Sequence, residues 1–500
     1  MSQIEQLLSR QLQQATESFA KANLSEEWQQ LQQQRLSQLQ QLALSSDYAW
    51  RVLCQFPQDF WQMSQQGLLD NTLARPYFHQ QTHQLFPLSQ TDFMWMQNIR
   101  QYRQQMMLRW IYRDVNQLST LAELTDELSE LAEASVEAAI AYAEQALIAR
   151  YGQPMGEDSG QIQKMIVIGM GKLGAQELNL SSDIDLIFSY PEAGETNGRS
   201  VISNQEYFIK LAQQVIRLLD QQTADGFVFR IDMRLRPWGD GSALALSFNA
   251  MERYYEQHGR EWERYAFIKA RVIAGDIAAG QELLSSLRPF VYRRYIDYSA
   301  FAALRDMKAM IEREVRRKDM ADNIKLGAGG IREVEFIAQA FQLIRGGVFK
   351  DLQQRPLLPV LAVLVERQLL SAQAAQELAS AYQFLRQVEH RIQCYNDQQT
   401  QKLPSDEFAR LRLARSLGFA DYAAFIDVLS THRAKVSHHF QAVVENPQSK
   451  EQRTVSQIAR ELWLETLDEQ QSCLSKLGFS DVVSIEQRLQ QLQQNNQLAG

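Results

Sequence analysis

Two carboxylates, Asp183 and Asp185, stand two positions apart around the apolar run Ile184–Phe188. In a strand they share one face, while Ile184, Leu186 and Phe188 share the other and can enter a core. Their Cα atoms then lie roughly 6.5 Å apart, close enough for the carboxylates to converge. Like charges that close repel unless a cation neutralises them, and hard oxygen donors suit Mg²⁺ with phosphate co-ligands. Taken alone, the pair reads more readily as two exposed loop acids. A second segment, Phe227–Leu235 (FVFRIDMRL), sharpens the reading. Strand alternation puts Phe227, Phe229, Ile231, Met233 and Leu235 on one face and Val228, Arg230, Asp232 and Arg234 on the other. Beside the first strand, Asp232 becomes a third carboxylate, and three acids with neighbouring arginines suit a two-metal phosphoryl-transfer site. The same pattern is also that of an amphipathic edge strand.

Gly169-Met170-Gly171-Lys172-Leu173-Gly174 follows the apolar run Met165–Ile168 and matches the glycine fingerprint of dinucleotide folds. In such folds the partner acid lies about 20 residues on, after a full helix. Here the acids follow some ten residues later, with only AQELNL between. A nicotinamide-dependent oxidoreductase is therefore disfavoured. The spacing predicts strand, glycine turn, short helix, acid-bearing strand, with the turn's amides open to a phosphate and Ser181 or Ser182 adding a hydroxyl. Further cations lie downstream. Arg264 and Arg271 are placed i, i+7 on one helical face, with Lys269 nearby. Leu326–Gly330 is a glycine-rich loop opening a helix, where Arg332 would add to an anion-favouring terminus. Glu333 and Glu335 could order Arg332 or approach a metal. Each of these segments is equally compatible with a solvated helix or a hinge. Arg313–Lys318 (REVRRK) reads as a solvated basic face.

The elements that must hold these residues are mostly helical. Gly is modest and Pro scarce, 23 and 11 in 500 residues, so collagen-like and turn-dense all-β architectures are excluded. The hydrophobic fraction of 45% excludes a wholly disordered chain. Residues 1–115 read as a helical region broken near Pro57, Pro76 and Pro87, and 117–150 as one long helix. An α+β core spans 116–250, with strands at Met165–Ile168, Ile184–Phe188, Phe227–Leu235 and Ala243–Phe248. Residues 251–445 read as a helical bundle, and 446–500 as the start of a helical linker. The net charge of −8 gives no sign of a nucleic-acid binder. Cys54, Cys394 and Cys473 are far apart, and His438 and His439 suit a surface helix, so no zinc spacing exists. Reduced thiols, the absence of a signal-like N-terminus and of any 18-residue apolar window predict a cytoplasmic address without a membrane span.

The glycine turn, the paired acids and the later third acid resemble the nucleotidyltransferase superfamily of the DNA polymerase β type. The match tightens over GMGKLGAQELNLSSDIDLIF, FRIDMRLRPWGDGSALALS, GREWERYAFIKARVIAGD and IKLGAGGIREVEFIAQAFQLIRGG. In this order they resemble the bifunctional glutamine synthetase adenylyltransferase/adenylyl-removing family, over roughly residues 165–350. The resemblance implies a mainly α fold with an embedded DNA polymerase β-like core between helical flanks. It points to the N-terminal half, which removes AMP from a tyrosine of glutamine synthetase by phosphorolysis and releases ADP. No second DxD block follows by residue 500, so the chain is read as truncated before the adenylylating half. The resemblance further implies two Mg²⁺ ions on Asp183, Asp185 and Asp232. It implies phosphate or nucleotide contacts from Gly169, Gly171, Lys172, Ser181, Ser182, Arg234, Arg264, Lys269, Arg271 and Arg332. Its partners would be glutamine synthetase, the PII signal protein and its uridylylated form, with phosphate, ADP and ATP as small ligands. ATP-dependent adenylylation and a helical scaffold with an inactive core are the alternatives.

Overall fold

The computed structural model describes residues 2–293, 306, 309–310, 313 and 320–444. The expected linker at 446–500 and residues 314–318 of the basic run lie outside the described residues. Met1–Ser437 forms one compact unit and His438–Gly500 a second.

The first 151 residues fold into helices whose starts are written in the sequence. Ser2 and Glu5 form a capping box on Gln3–Lys21, and Thr120 and Glu123 form another on Leu121–Tyr151. Pro57 and Pro76 open Pro57–Gln65 and Pro76–Leu85, where a missing N–H costs nothing. The helices Ser25–Ser45, Asp47–Gln55 and Asp92–Val115 bury Trp28, Trp50, Trp95 and Trp110 in one core.

That core is continuous with a small mixed sheet of five strands: β1 Ile166–Gly169, β2 Ile184–Tyr190, β3 Ile231–Asp232, β4 Ala245–Ser247 and β5 Arg271–Gly275. The order runs β3-β2-β1-β5, with β4 beside the far end of β2. β1 is antiparallel to both β2 and β5, whereas β3 and β4 run parallel to β2. The long helix Leu121–Tyr151 packs along β5 and along the helix Asn204–Asp220. The chain is thus mostly helical around a small mixed sheet.

Two expectations need correction. The nine-residue strand at Phe227–Leu235 is only two residues long. Before it, the Val228 and Phe229 amides both turn to the Leu219 carbonyl, and Val228 is buried rather than facing the acids. After it, the Asp232 carboxylate accepts the Arg234 amide at 2.8 Å, a local side-chain turn that ends pairing. The region from 249 onward is also not wholly helical. Glu261–Phe267 is two turns long, and the β-branched run Arg271–Gly275 becomes β5. Arg264 and Arg271 therefore do not share a helical face. The glycine-rich stretch Leu326–Gly330 does open a helix, Ile331–Arg345.

Candidate active site

Parallel pairing of β2 with β3 sets Asp185 directly in register with Asp232. In such a pair the two side chains leave the sheet on the same face as neighbours. Asp183 lies one alternation earlier, at the entry to β2. The half-buried Asp185 carboxyl is pushed up to about 7, first by burial and then by the charges of Asp183 and Asp232. Asp232 is held below the usual carboxylate range by Arg234, whose Nε lies 2.8 Å from Oδ2. Asp183 accepts a hydrogen bond from the Gln399 amide.

The glycine turn closes over the same acids. Met170 donates its amide to the Asp185 carbonyl at 2.9 Å. Gly171 has φ +54°, and a Cβ there would sit 2.9 Å from Asp185 Oδ2. Glycine is needed at 171 both for its left-handed backbone and for this approach. Gly169 serves packing: a Cβ there would meet Ile273 and Leu173 side chains.

The expected cations fare differently. Arg234 stays at the acids and is exposed. Lys172 is enclosed and paired with Glu389 of the helix Ala372–Cys394 at 2.9 Å. Burial pulls its ammonium down to about 7, against the opposing pull of Glu389. Lys269 is buried between Glu335 at 2.6 Å and Glu177 at 3.4 Å. Arg271 is spent on Glu133 and on the Leu173 and Gly174 carbonyls. Arg264, fully buried, binds Glu261 and the Val291 carbonyl. Ser181 accepts from Arg230 at 3.1 Å and donates its amide to Gln393 at 3.1 Å, while Ser182 is half-buried beside it. The Arg332 amide bonds the Lys325 carbonyl, and Glu333 accepts from the Gly329 amide. Asp183, Asp185, Asp232, Gly171 and Arg234 are therefore brought together. Lys172, Lys269, Arg271 and Arg264 are absorbed into internal ion pairs. Gln399 and Glu389 join the neighbourhood without local sequence signal, some two hundred residues downstream of the acids, whereas Arg230 was marked by its place on the Asp232 face of the FVFRIDMRL segment.

Among the described residues no three His, Cys, Asp or Glu side chains already stand as a metal-ligating group. Asp232 is turned to Arg234 and Asp183 to Gln399. The donor set nevertheless fits a hard divalent cation: oxygens only, with Asp185 and Asp232 paired in register and Asp183 at the entry to β2, and Asp185 pushed toward protonation by burial and by the other two. What such a cluster can do is gather cations and, through them, phosphoryl oxygens.

Comparison with known proteins gives the family. A family model described as glutamate-ammonia ligase adenylyltransferase matches residues 36–286, which cover the sheet and all three acids. A second model, GlnD PII-uridylyltransferase, matches residues 305–444. The chain is a member of a nucleotidyltransferase family. Specifically, it belongs to the glutamate-ammonia ligase adenylyltransferase family. It is 46% identical over 474 residues to a protein of Pseudomonas aeruginosa, covering 93% of this chain and 48% of that protein. It is 52% identical over 425 residues to one of Acinetobacter baylyi, covering 85% and 46%, and 50% identical over 402 residues to one of Nitrosococcus oceani, covering 79% and 42%. Each is named a bifunctional glutamine synthetase adenylyltransferase/adenylyl-removing enzyme. The chain spans about half the length of these curated relatives.

Proposed function

We propose that this chain removes AMP from an adenylylated tyrosine of glutamine synthetase by phosphorolysis, on a DNA polymerase β-like core. The observation that carries the reading is the convergence of Asp183, Asp185 and Asp232 under the Gly171 turn. Asp183 and Asp185 would hold two Mg²⁺ ions, with Asp232 sharing one. Bound there, the ions supply charge neutralisation at the phosphoryl oxygens. The chain's own residues do the rest. The Gly171 turn leaves room for phosphate against Asp185. Arg234, exposed at the rim, can exchange its carboxylate for a ligand phosphate. Gln399 holds Asp183 until a ligand replaces it. In the reaction an oxygen of inorganic phosphate bonds to the α-phosphorus of tyrosyl-AMP. The bond from that phosphorus to the tyrosine oxygen breaks, the phenolate takes up a proton, and ADP leaves.

The resemblance of residues 165–350 to the adenylyl-removing half supports removal over addition. The match of residues 305–444 to a PII-uridylyltransferase model supports this region as the part that meets PII and its uridylylated form. A cytoplasmic setting follows from such a substrate, and among the described residues no helix is long and apolar enough to cross a membrane.

The test is ADP release from adenylylated glutamine synthetase with phosphate and Mg²⁺, with loss of AMP from the tyrosine followed by mass spectrometry. Phosphate-dependent ADP is expected, reduced at least a hundredfold in Asp183→Asn. Incorporation of AMP from ATP instead would reverse the proposed direction. Neither activity in a folded chain would favour a scaffold.

A further inference from the structure

The pairing-off of the expected cations leaves one lysine over. Lys172, Lys269 and Arg386 are ion-paired with Glu177, Glu335 and Glu389 in the interior, and the Lys325 loop lies at the start of the helix that carries Glu335. Lys172 is taken by Glu389, Lys269 by Glu335 and Glu177, and Arg386 by Glu389, the Glu177 carbonyl and Asn179. Lys325 is half-buried, its charge acts on Asp185, Glu335 and Glu389, and among the described residues its ammonium makes no hydrogen bond or ion pair.

Its backbone, by contrast, is fixed from several directions. The Asn323 carboxamide accepts the Lys325 and Leu326 amides at 2.9 and 2.8 Å. The Lys325 carbonyl accepts the Arg332 amide at 3.1 Å. Arg433 clamps the loop through the Ala328 and Ala321 carbonyls at 2.8 and 2.7 Å. The loop also reaches the acids through the chain. Asn323 bridges to Lys402, and the Ile324 amide bonds the Gln401 carbonyl at 3.0 Å. Two residues before Gln401, Gln399 holds Asp183. A rigid backbone that presents an uncommitted cation beside a carboxylate cluster is arranged for an anion that arrives with its own counter-ions.

We propose that Lys325 binds the phosphoryl oxygens of the ligand at the acid cluster, an inference that rests on the nucleotidyltransferase reading of that site. It takes the role that the family resemblance implied for Lys172, Lys269 and Arg271. The ligand chemistry is an anionic phosphoryl group, met either as inorganic phosphate or as the phosphate of the AMP group, which is a diester while joined to tyrosine and for which free AMP stands in.

Equilibrium dialysis of the full chain against inorganic phosphate and, separately, AMP, each with Mg²⁺, tests it. Lys325→Gln is expected to weaken at least one of the two about tenfold, with Lys325→Arg recovering most of the loss. The ligand that weakens identifies the subsite. On the unmutated chain, the same ligand should slow acylation of Lys325 mapped by mass spectrometry, which keeps the question open to measurement if the glutamine variant fails to fold. Equal binding by Lys325→Gln and wild type overturns the proposal, as does absence of binding by wild type, or acylation that neither ligand slows. Binding that depends on Lys325, in a chain that releases no ADP from adenylylated glutamine synthetase, leaves this assignment standing and removes the adenylyl-removing one.

Discussion

One methyl group at position 171 decides whether Asp185 keeps its place. An alanine there would need φ +54° and would put its Cβ 2.9 Å from Asp185 Oδ2. The backbone strain costs about 1–2 kcal/mol, while the displaced carboxylate is one the reaction is proposed to need. Gly171→Ala should therefore lower turnover at least tenfold while the protein stays folded at 25 °C, read from kcat beside an unfolding curve. Activity falling only in step with the folded fraction would contradict this. The acids and this glycine were legible in the sequence because their spacing is local. The cations other than Arg234 were not. Lys172 answers to Glu389, Arg271 to Glu133 and Lys269 to Glu335, each far away in the chain. A lysine beside a glycine turn looks the same whether a phosphate or a buried glutamate awaits it.

Helices declared themselves through caps and period and β1 and β2 through their apolar runs, whereas the unbroken alternation at Phe227–Leu235 overstated a strand. β3 shrank because Asp232 bonds its own backbone two residues on, and β5 was hidden behind the short helix Glu261–Phe267. The helix Leu121–Tyr151 shows another fact that period alone does not reveal. It buries Glu127, Glu130 and Glu133. Glu127 meets Arg109 and Glu133 meets Arg271, but among the described residues neither carboxylate oxygen of Glu130 has a partner. Burial pushes Glu130 up to about 7 against the opposing charges of Arg75 and His79. Between the unfolded value near 4.5 and about 7 the folded state binds the extra proton, so stability falls as pH rises through that window. Glu130→Gln should remove this slope and raise stability at pH 8 by on the order of 1–2 kcal/mol, with little gain at pH 4.5. Urea unfolding at the two pH values measures it, and an equal effect at both would refute it. The Lys172–Glu389 pair calls for the opposite treatment. Removing Glu389 alone strands the buried Lys172 ammonium, takes a carboxylate from Arg386 and should cost about 3–5 kcal/mol, whereas Lys172→Met with Glu389→Leu should recover the part that belongs to Lys172. A double-mutant cycle by denaturant unfolding gives the coupling, and additive single losses would sink the account.

Across the whole of Met1–Ser437, the N-terminal helices are bound to the segment after the glycine-rich loop rather than set apart from it. Arg103 pairs with Asp397 at 2.8 Å, Arg412 with Asp47 at 2.9 Å, and Arg391 with Asp114. Gln41 bonds the Ser416 carbonyl at 3.2 Å. A chain lacking residues 1–115 would bare Arg391, Arg412 and Asp397 without counter-charges and lose most of the tryptophan-rich core. It should lose near-ultraviolet circular dichroism, bind a hydrophobic dye and aggregate. A monomeric truncated chain with one cooperative transition would show the helical region to be dispensable for folding.

The length of chain between partners also has a consequence during synthesis. Lys172 and Glu389 are 217 residues apart, and Asp183 and Gln399 are 216 apart. At about 5–20 residues per second, roughly 10–40 s pass between the emergence of each pair's two members. Throughout that interval the ribosome-bound chain carries the acids and the glycine turn without the residues that neutralise and hold them. Assembly around the acids therefore waits for residues 389–399, and a stalled or prematurely cleaved product ending before residue 389 carries the DxD motif without the residues that hold it.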